Sequence, residues 1–182
     1  MTNIYLSFLG LGQFKEDSKA YEYTPTVYKL NERESAKTQF VQAAEIELLA
    51  SDCFDKVIIV STQRSYDTHF ETLKQGLMDV GVIENKIFNV QIGDAMTPKS
   101  QWEGFEKILY HINKGDRLTI DLTHGYRASS IILSAAINFL QKAKGIQLMA
   151  VYYGAFEANR QLAPIVDMKD FYIINFLCRH IQ

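Results

Sequence analysis

Short apolar runs alternate along this chain with longer segments whose apolar residues recur at helical spacing, and that alternation predicts an order of elements. Ile4-Tyr5-Leu6-Ser7-Phe8-Leu9 reads as a buried strand ending in the tight loop Gly10-Leu11-Gly12-Gln13. Val57-Ile58-Ile59-Val60 is β-branched throughout, the pattern of a strand covered on both faces of a parallel sheet. Further strands are predicted at Ile87 to Ile92, Arg117 to Leu122 and Ile146 to Tyr153, with helices over Tyr66 to Asp79, Ser100 to Ile112 and Arg127 to Lys142.

Between the first strand and Val57, two segments read differently. Tyr21 to Leu30 alternates aromatic and β-branched residues with polar ones around Pro25, which predicts an edge strand or hairpin arm. Ser35 is the expected N-cap of a helix carrying Phe40, Ala43, Ala44, Ile46, Leu48 and Leu49 up to Ala50. Ala163 to Val166 suggests a last short strand, and Phe171 to His180 a closing helix. Alternating strands and helices define a doubly wound α/β fold, a mostly parallel sheet with helices on both faces and right-handed crossovers. With no linker or repeat along residues 1–182, one domain is expected.

Composition changes this picture little: 47% hydrophobic and 22% charged residues are those of a packed globular domain. Charge restricts partners more, because a net charge of -2 argues against a broad footprint on duplex nucleic acid. The first residues lack a signal peptide and no run is apolar and long enough for a membrane helix, so a cytoplasmic location is expected. Cys53 and Cys178 are read as reduced, buried thiols, and no spacing suggests zinc, another metal or a resident cofactor.

In open α/β sheets, ligands bind beyond the carboxyl ends of the strands, where strand order reverses. Two loops there carry chemistry. Gly10, Gly12 and Gln13 follow the first strand, where glycine lets the backbone N–H groups approach phosphate or ribose. Asp121-Leu122-Thr123-His124-Gly125-Tyr126-Arg127 combines a hydroxyl, a switchable imidazole, a small residue and a guanidinium suited to a phosphodiester. Plain capping and core packing account for the same residues without a ligand. Thr62 and Gln63 follow the Val57 strand and face the same crevice. Trp102 and Phe105 are taken as core, and Tyr152, Tyr153 and Phe156 as packing or subunit contact.

The Asp121 to Arg127 segment resembles the DxTHGxR signature of CRISPR-associated proteins whose CARF domains are Rossmann-like. Tyr5-Leu6-Ser7-Phe8-Leu9-Gly10, Tyr28-Lys29-Leu30-Asn31, Tyr152-Tyr153-Gly154-Ala155-Phe156-Glu157 and Pro164-Ile165-Val166-Asp167 resemble that family in the same order. The resemblance implies a homodimer binding a ring of four or six 3′,5′-linked adenylates across its two-fold axis. Gly10, Gly12 and Gln13 would line one wall, Thr123, His124, Gly125 and Arg127 would hold phosphates and riboses, and Asp121 would orient the turn.

Related proteins carry a C-terminal effector, so this sensor is expected either to serve an effector domain of a longer protein or to stand alone. The alternative is a ring nuclease needing no metal, in which the ligand's own 2′-hydroxyl attacks the neighbouring phosphate. Arg127 would then stabilise the developing charge and His124 act as general base or acid. A generic mononucleotide enzyme is the third reading, without a Walker lysine or fingerprint glycines. Arg64 and His69 carry the Arg-x4-His spacing of HEPN ribonucleases, but within a β-α unit of the sensor this spacing is taken as chance.

Overall fold

The computed structural model describes residues 1–94, 97–124 and 136–172. β1 (Asn3–Leu9) is central: β6 (Lys56–Ser61) and β8 (Arg117–Asp121) flank it, both parallel. Its apolar run alternates between two cores. Ile4, Leu6 and Phe8 join one cluster with Ile58, Val60, Leu118 and Ile120, while Tyr5 and Leu9 join another with Val57 and Ile59. This two-sided burial explains why both strands read as continuous apolar runs.

Helices cover both faces. α1 (Val41–Leu49) and α2 (Gln63–Asp79) pack one core, which takes Ala43, Ile46, Phe70, Leu73 and Leu77. α3 (Pro98–Tyr110) and the helical residues 136–143 supply Phe105, Ile108, Ala136, Ile137 and Leu140 to the other. β7 (Ile87–Gln91) extends the sheet beyond β6, and β9 (Gln147–Gly154) extends it beyond β8, each in parallel. The chain therefore grows from β1 through β6 to β7, then crosses back to β8 on the other flank of β1. This reversal puts the topological switch point at the carboxyl ends of β1 and β8. The observed class is a mostly parallel, eight-stranded, Rossmann-like α/β sheet with helices on both faces.

Additions beyond the parallel core shape its rim. β10 (Leu162–Asp167) pairs antiparallel with β9 and parallel with β4 (Val27–Leu30), and β5 (Arg33–Glu34) closes that edge. β2 (Gln13–Lys15) and β3 (Ala20–Glu22) form a separate antiparallel ribbon directly after the glycine loop. The segment expected as one strand from Tyr21 to Leu30 is thus two, β3 and β4, divided at Pro25. β4 is not an edge strand, because β5 and β10 pair with both its sides, but each piece is a hairpin arm as the alternative expectation had it, β3 against β2 and β4 against β5.

Three further expectations are corrected. Ser35 does not cap α1, which begins at Val41 after Phe40; its hydroxyl instead accepts the Tyr28 N–H at 3.0 Å and donates to the Ala36 carbonyl at 2.8 Å. Trp102 is 60% exposed, with its indole N–H on Glu106 at 2.7 Å, although Phe105 is core as expected. Cys53 is exposed rather than buried. Cys178, most of the closing helix and the amino-terminal part of the Arg127 to Lys142 helix lie outside the described residues. Among the described residues, no helix is long and apolar enough to cross a membrane.

Candidate functional site

At the switch point lies a cavity of about 400 Å³, whose walls come from the loops after β1, β8 and β9 and from the segment following β3. Gly10, Leu11, Gly12 and Gln13 form one wall, and Thr123 and His124 another. Tyr23, Tyr28, Phe156 and Gly154 close the remainder. A concave, mostly apolar space with convergent polar groups is the usual form of a small-ligand site.

The glycines hold the first wall close. Gly12 has φ +75, and a Cβ there would come within 2.5 Å of the Glu22 carbonyl oxygen. A Cβ on Gly10 would lie 3.2 Å from the Tyr23 hydroxyl and 3.5 Å from the His124 Cβ. The ribbon formed by β2 and β3 therefore folds directly back over the loop that opens it.

The second wall is set by a buried carboxylate. Asp121 is fully buried and accepts from the Ser7 hydroxyl at 2.6 Å and from the Thr123 N–H at 2.8 Å. The Thr123 hydroxyl donates to Asp121 at 2.5 Å and accepts the Gly154 N–H at 2.8 Å. Asp121 thus orients the turn and ties β1, β8 and β9 together at the crevice. Burial raises its pKa, against hydrogen bonds from Ser7 and Thr123 that favour the ionised form.

His124 follows on this turn. Its ring lies 4.7 Å from that of Tyr23, which in turn stands 5.0 Å from His69 and 5.4 Å from Phe40. Burial, reinforced by the nearby His69, lowers the His124 pKa to about 4. The imidazole is therefore neutral at neutral pH, with one donor and one acceptor nitrogen. Its Nε2 is buried with no hydrogen-bond partner among the described residues.

Behind this wall runs a polar seam between α1 and the sheet. Tyr5 donates its hydroxyl to the fully buried Glu45 at 2.8 Å, and Gln42 donates to the Phe8 carbonyl at 2.9 Å. Burial and the proximity of Asp121 push the Glu45 pKa well up.

Of the residues expected at the site, Gly10, Gly12, Gln13, Thr123 and His124 line the cavity, while Gly125 and Arg127 lie outside the described residues. Thr62 and Gln63 are not among the lining residues. Thr62 caps α2 in a reciprocal pair with Ser65, and Gln63 donates to Asp67 at 2.8 Å on the surface. Tyr23, Tyr28 and Gln39 line the cavity without having been marked in sequence, since nothing in a Pro-broken β pattern shows that it folds over a distant loop. Phe156 packs as expected, but it and Tyr153 also border the cavity.

Fold and crevice together define the chain as a Rossmann-like α/β domain with a ligand-sized cavity at its switch point. The chain is 23% identical, over 96% of its length, to the CRISPR-associated protein MJ1674 of Methanocaldococcus jannaschii. It spans 35% of the length of that relative. No family profile matches the chain.

Proposed function

We propose that this domain is a sensor in type III CRISPR antiviral signalling that binds a cyclic oligoadenylate, of four or six adenylates, across a homodimer. The observation that carries the reading is the cavity at the switch point, where glycine backbone, Thr123, neutral His124 and Tyr23 converge. The similarity to a CRISPR-associated protein over nearly the whole chain supports it. A ring with two-fold symmetry offers identical halves to identical subunits, so each copy would contribute the same loops. The lining described contains Glu22 and Glu157 but no Lys or Arg. Phosphate charge would therefore fall to Arg127 and to the N–H groups around Gly10, Gly12, Gly125 and Gln13. Thr62 and Gln63 would act at most beside this ring, and the domain would pass its signal to an effector, either a further domain of a longer protein or a separate one.

One observation bears on the ring nuclease as second reading: His124 is neutral at neutral pH, the form that accepts a proton, although the same lowered pKa makes it a weak base. His124 would take the 2′-hydroxyl proton as that oxygen bonds to phosphorus, the 5′-oxygen would leave and be reprotonated, and a 2′,3′-cyclic phosphate would remain. Arg127 would stabilise the charge on the phosphoryl oxygens.

Incubating the protein with labelled cyclic tetra-adenylate and cyclic hexa-adenylate, without metal, tests both. Retention of intact ring is the expected result. Linear products ending in 2′,3′-cyclic phosphate, lost in Arg127→Ala, would establish the second reading, and absence of binding to either ring would refute both.

A further inference from the structure

Arg64 and His69 imitate a ribonuclease motif in spacing, yet their side chains serve different neighbours. The Arg64 guanidinium stacks 5.6 Å from the Tyr21 ring on the β2-β3 ribbon. His69 turns inward, only 9% exposed, and its Nε2 lies 2.9 Å from the carbonyl oxygen of Leu11. A carbonyl only accepts, so Nε2 is the donor.

Leu11 is the middle residue of the glycine loop that forms the first cavity wall. Two flanking glycines leave such a loop many backbone conformations, and fixing one costs entropy that a bound ligand would otherwise have to supply. His69 rides on a rigid support. α2 starts from the Thr62 and Ser65 capping pair directly after β6, and Leu73 and Leu77 hold it in the core. The same ring packs 5.0 Å from Tyr23 and 6.2 Å from Phe40. One side chain therefore braces both the loop and the tyrosine that face the cavity, without lining it.

We infer that His69 is a positioning residue of the ligand cavity: its hydrogen bond to Leu11 preorganises the Gly10 to Gly12 loop for ligand. A preformed loop spares the ordering cost at binding, so the contribution appears as affinity. The choice of ligand in the test rests on the cyclic oligoadenylate reading; the state of the loop does not.

The test compares His69→Leu and His69→Gln by hydrogen–deuterium exchange across residues 10–13 of ligand-free protein, and by affinity for cyclic tetra-adenylate and cyclic hexa-adenylate. His69→Leu is expected to speed loop exchange and weaken affinity, each about tenfold, the size of one lost hydrogen bond. Exchange in β1 and in the rest of α2 stays unchanged. His69→Gln, whose amide can donate to the same carbonyl, restores most of both. Unaltered loop exchange in His69→Leu, or no rescue by His69→Gln, overturns the inference. If His69→Leu does not fold, the 15N spectrum of the wild-type histidine rings decides. A protonated, slowly exchanging His69 Nε2 supports the role, and an Nδ1-protonated or freely exchanging ring overturns it. Failure of the wild type to bind either ring removes the ligand assignment and leaves loop exchange to judge His69.

Discussion

Thr123 and Asp121 form a two-residue clasp: the threonine N–H and hydroxyl both close on the same carboxylate oxygen, at 2.8 and 2.5 Å. Because the Thr123 hydroxyl also accepts from the Gly154 N–H, the clasp joins the ends of β8 and β9 beneath the cavity. Replacing Thr123 by valine keeps its shape but removes both hydroxyl bonds. We expect a loss of about 2 to 4 kcal/mol of stability, since buried polar groups lose their partners. Thr123→Ser should retain most of it. Urea unfolding of the two variants checks the contrast.

Gly12 and Gly115 share a positive φ, +75 and +78, but differ in surroundings. A Cβ at Gly115 meets nothing within 4 Å, whereas one at Gly12 meets the Glu22 carbonyl at 2.5 Å. Gly115→Ala should cost about 1 kcal/mol, from backbone strain alone. Gly12→Ala should cost about 2 to 4 kcal/mol and displace the β2-β3 ribbon, because a backbone carbonyl cannot rotate aside as a side chain can. Thermal unfolding of both variants, with ligand affinity measured in parallel, separates strain from collision.

Glu45 makes stability fall as pH rises. Its folded pKa stands well above the ordinary value of 4.5, so from about that pH upward the folded chain keeps a proton that the unfolded chain releases. The slope reaches at most about 1.4 kcal/mol per pH unit. Glu45→Gln is neutral at every pH and should flatten this part of the profile, leaving the smaller share that the raised Asp121 contributes. Unfolding midpoints recorded from pH 4.5 to 8 for wild type and variant provide the comparison.

His124 acts in the opposite sense. With a folded pKa of about 4 against an ordinary 6.5, it is neutral in the folded chain while the unfolded chain binds a proton, so its contribution makes stability rise between those two values and level off above. NMR titration of the imidazole should give a midpoint near 4. A midpoint near 6.5 would mean that the ring is solvated and that burial does not control it.

Much of this architecture is legible in the sequence for a local reason. Continuous apolar runs such as Ile4 to Leu9 and Val57 to Val60 occur where a strand is covered on both faces, and the helical patterns between them fix the alternation. The Gly10 and Asp121 loops stand out because glycine, carboxylate, hydroxyl and imidazole gather there at strand ends. Ser35 misled because a good capping residue was available, whereas β4 and the start of α1 are set by partners far along the chain. Thr62 shows what position alone does not reveal: its place after a core strand suggested ligand contact, and the fold adds that its hydroxyl caps α2.

The element alternation, the doubly wound class and the two loops that meet at the crevice are written in local sequence, because periodicity and turn chemistry act over a few neighbouring residues. Long-range packing sets the rest: Tyr23 folds over Gly10, Glu45 lies buried behind the site and His69 reaches Leu11. Each of these is a contact between residues distant in the chain, and packing geometry of that kind leaves no periodic trace in the sequence.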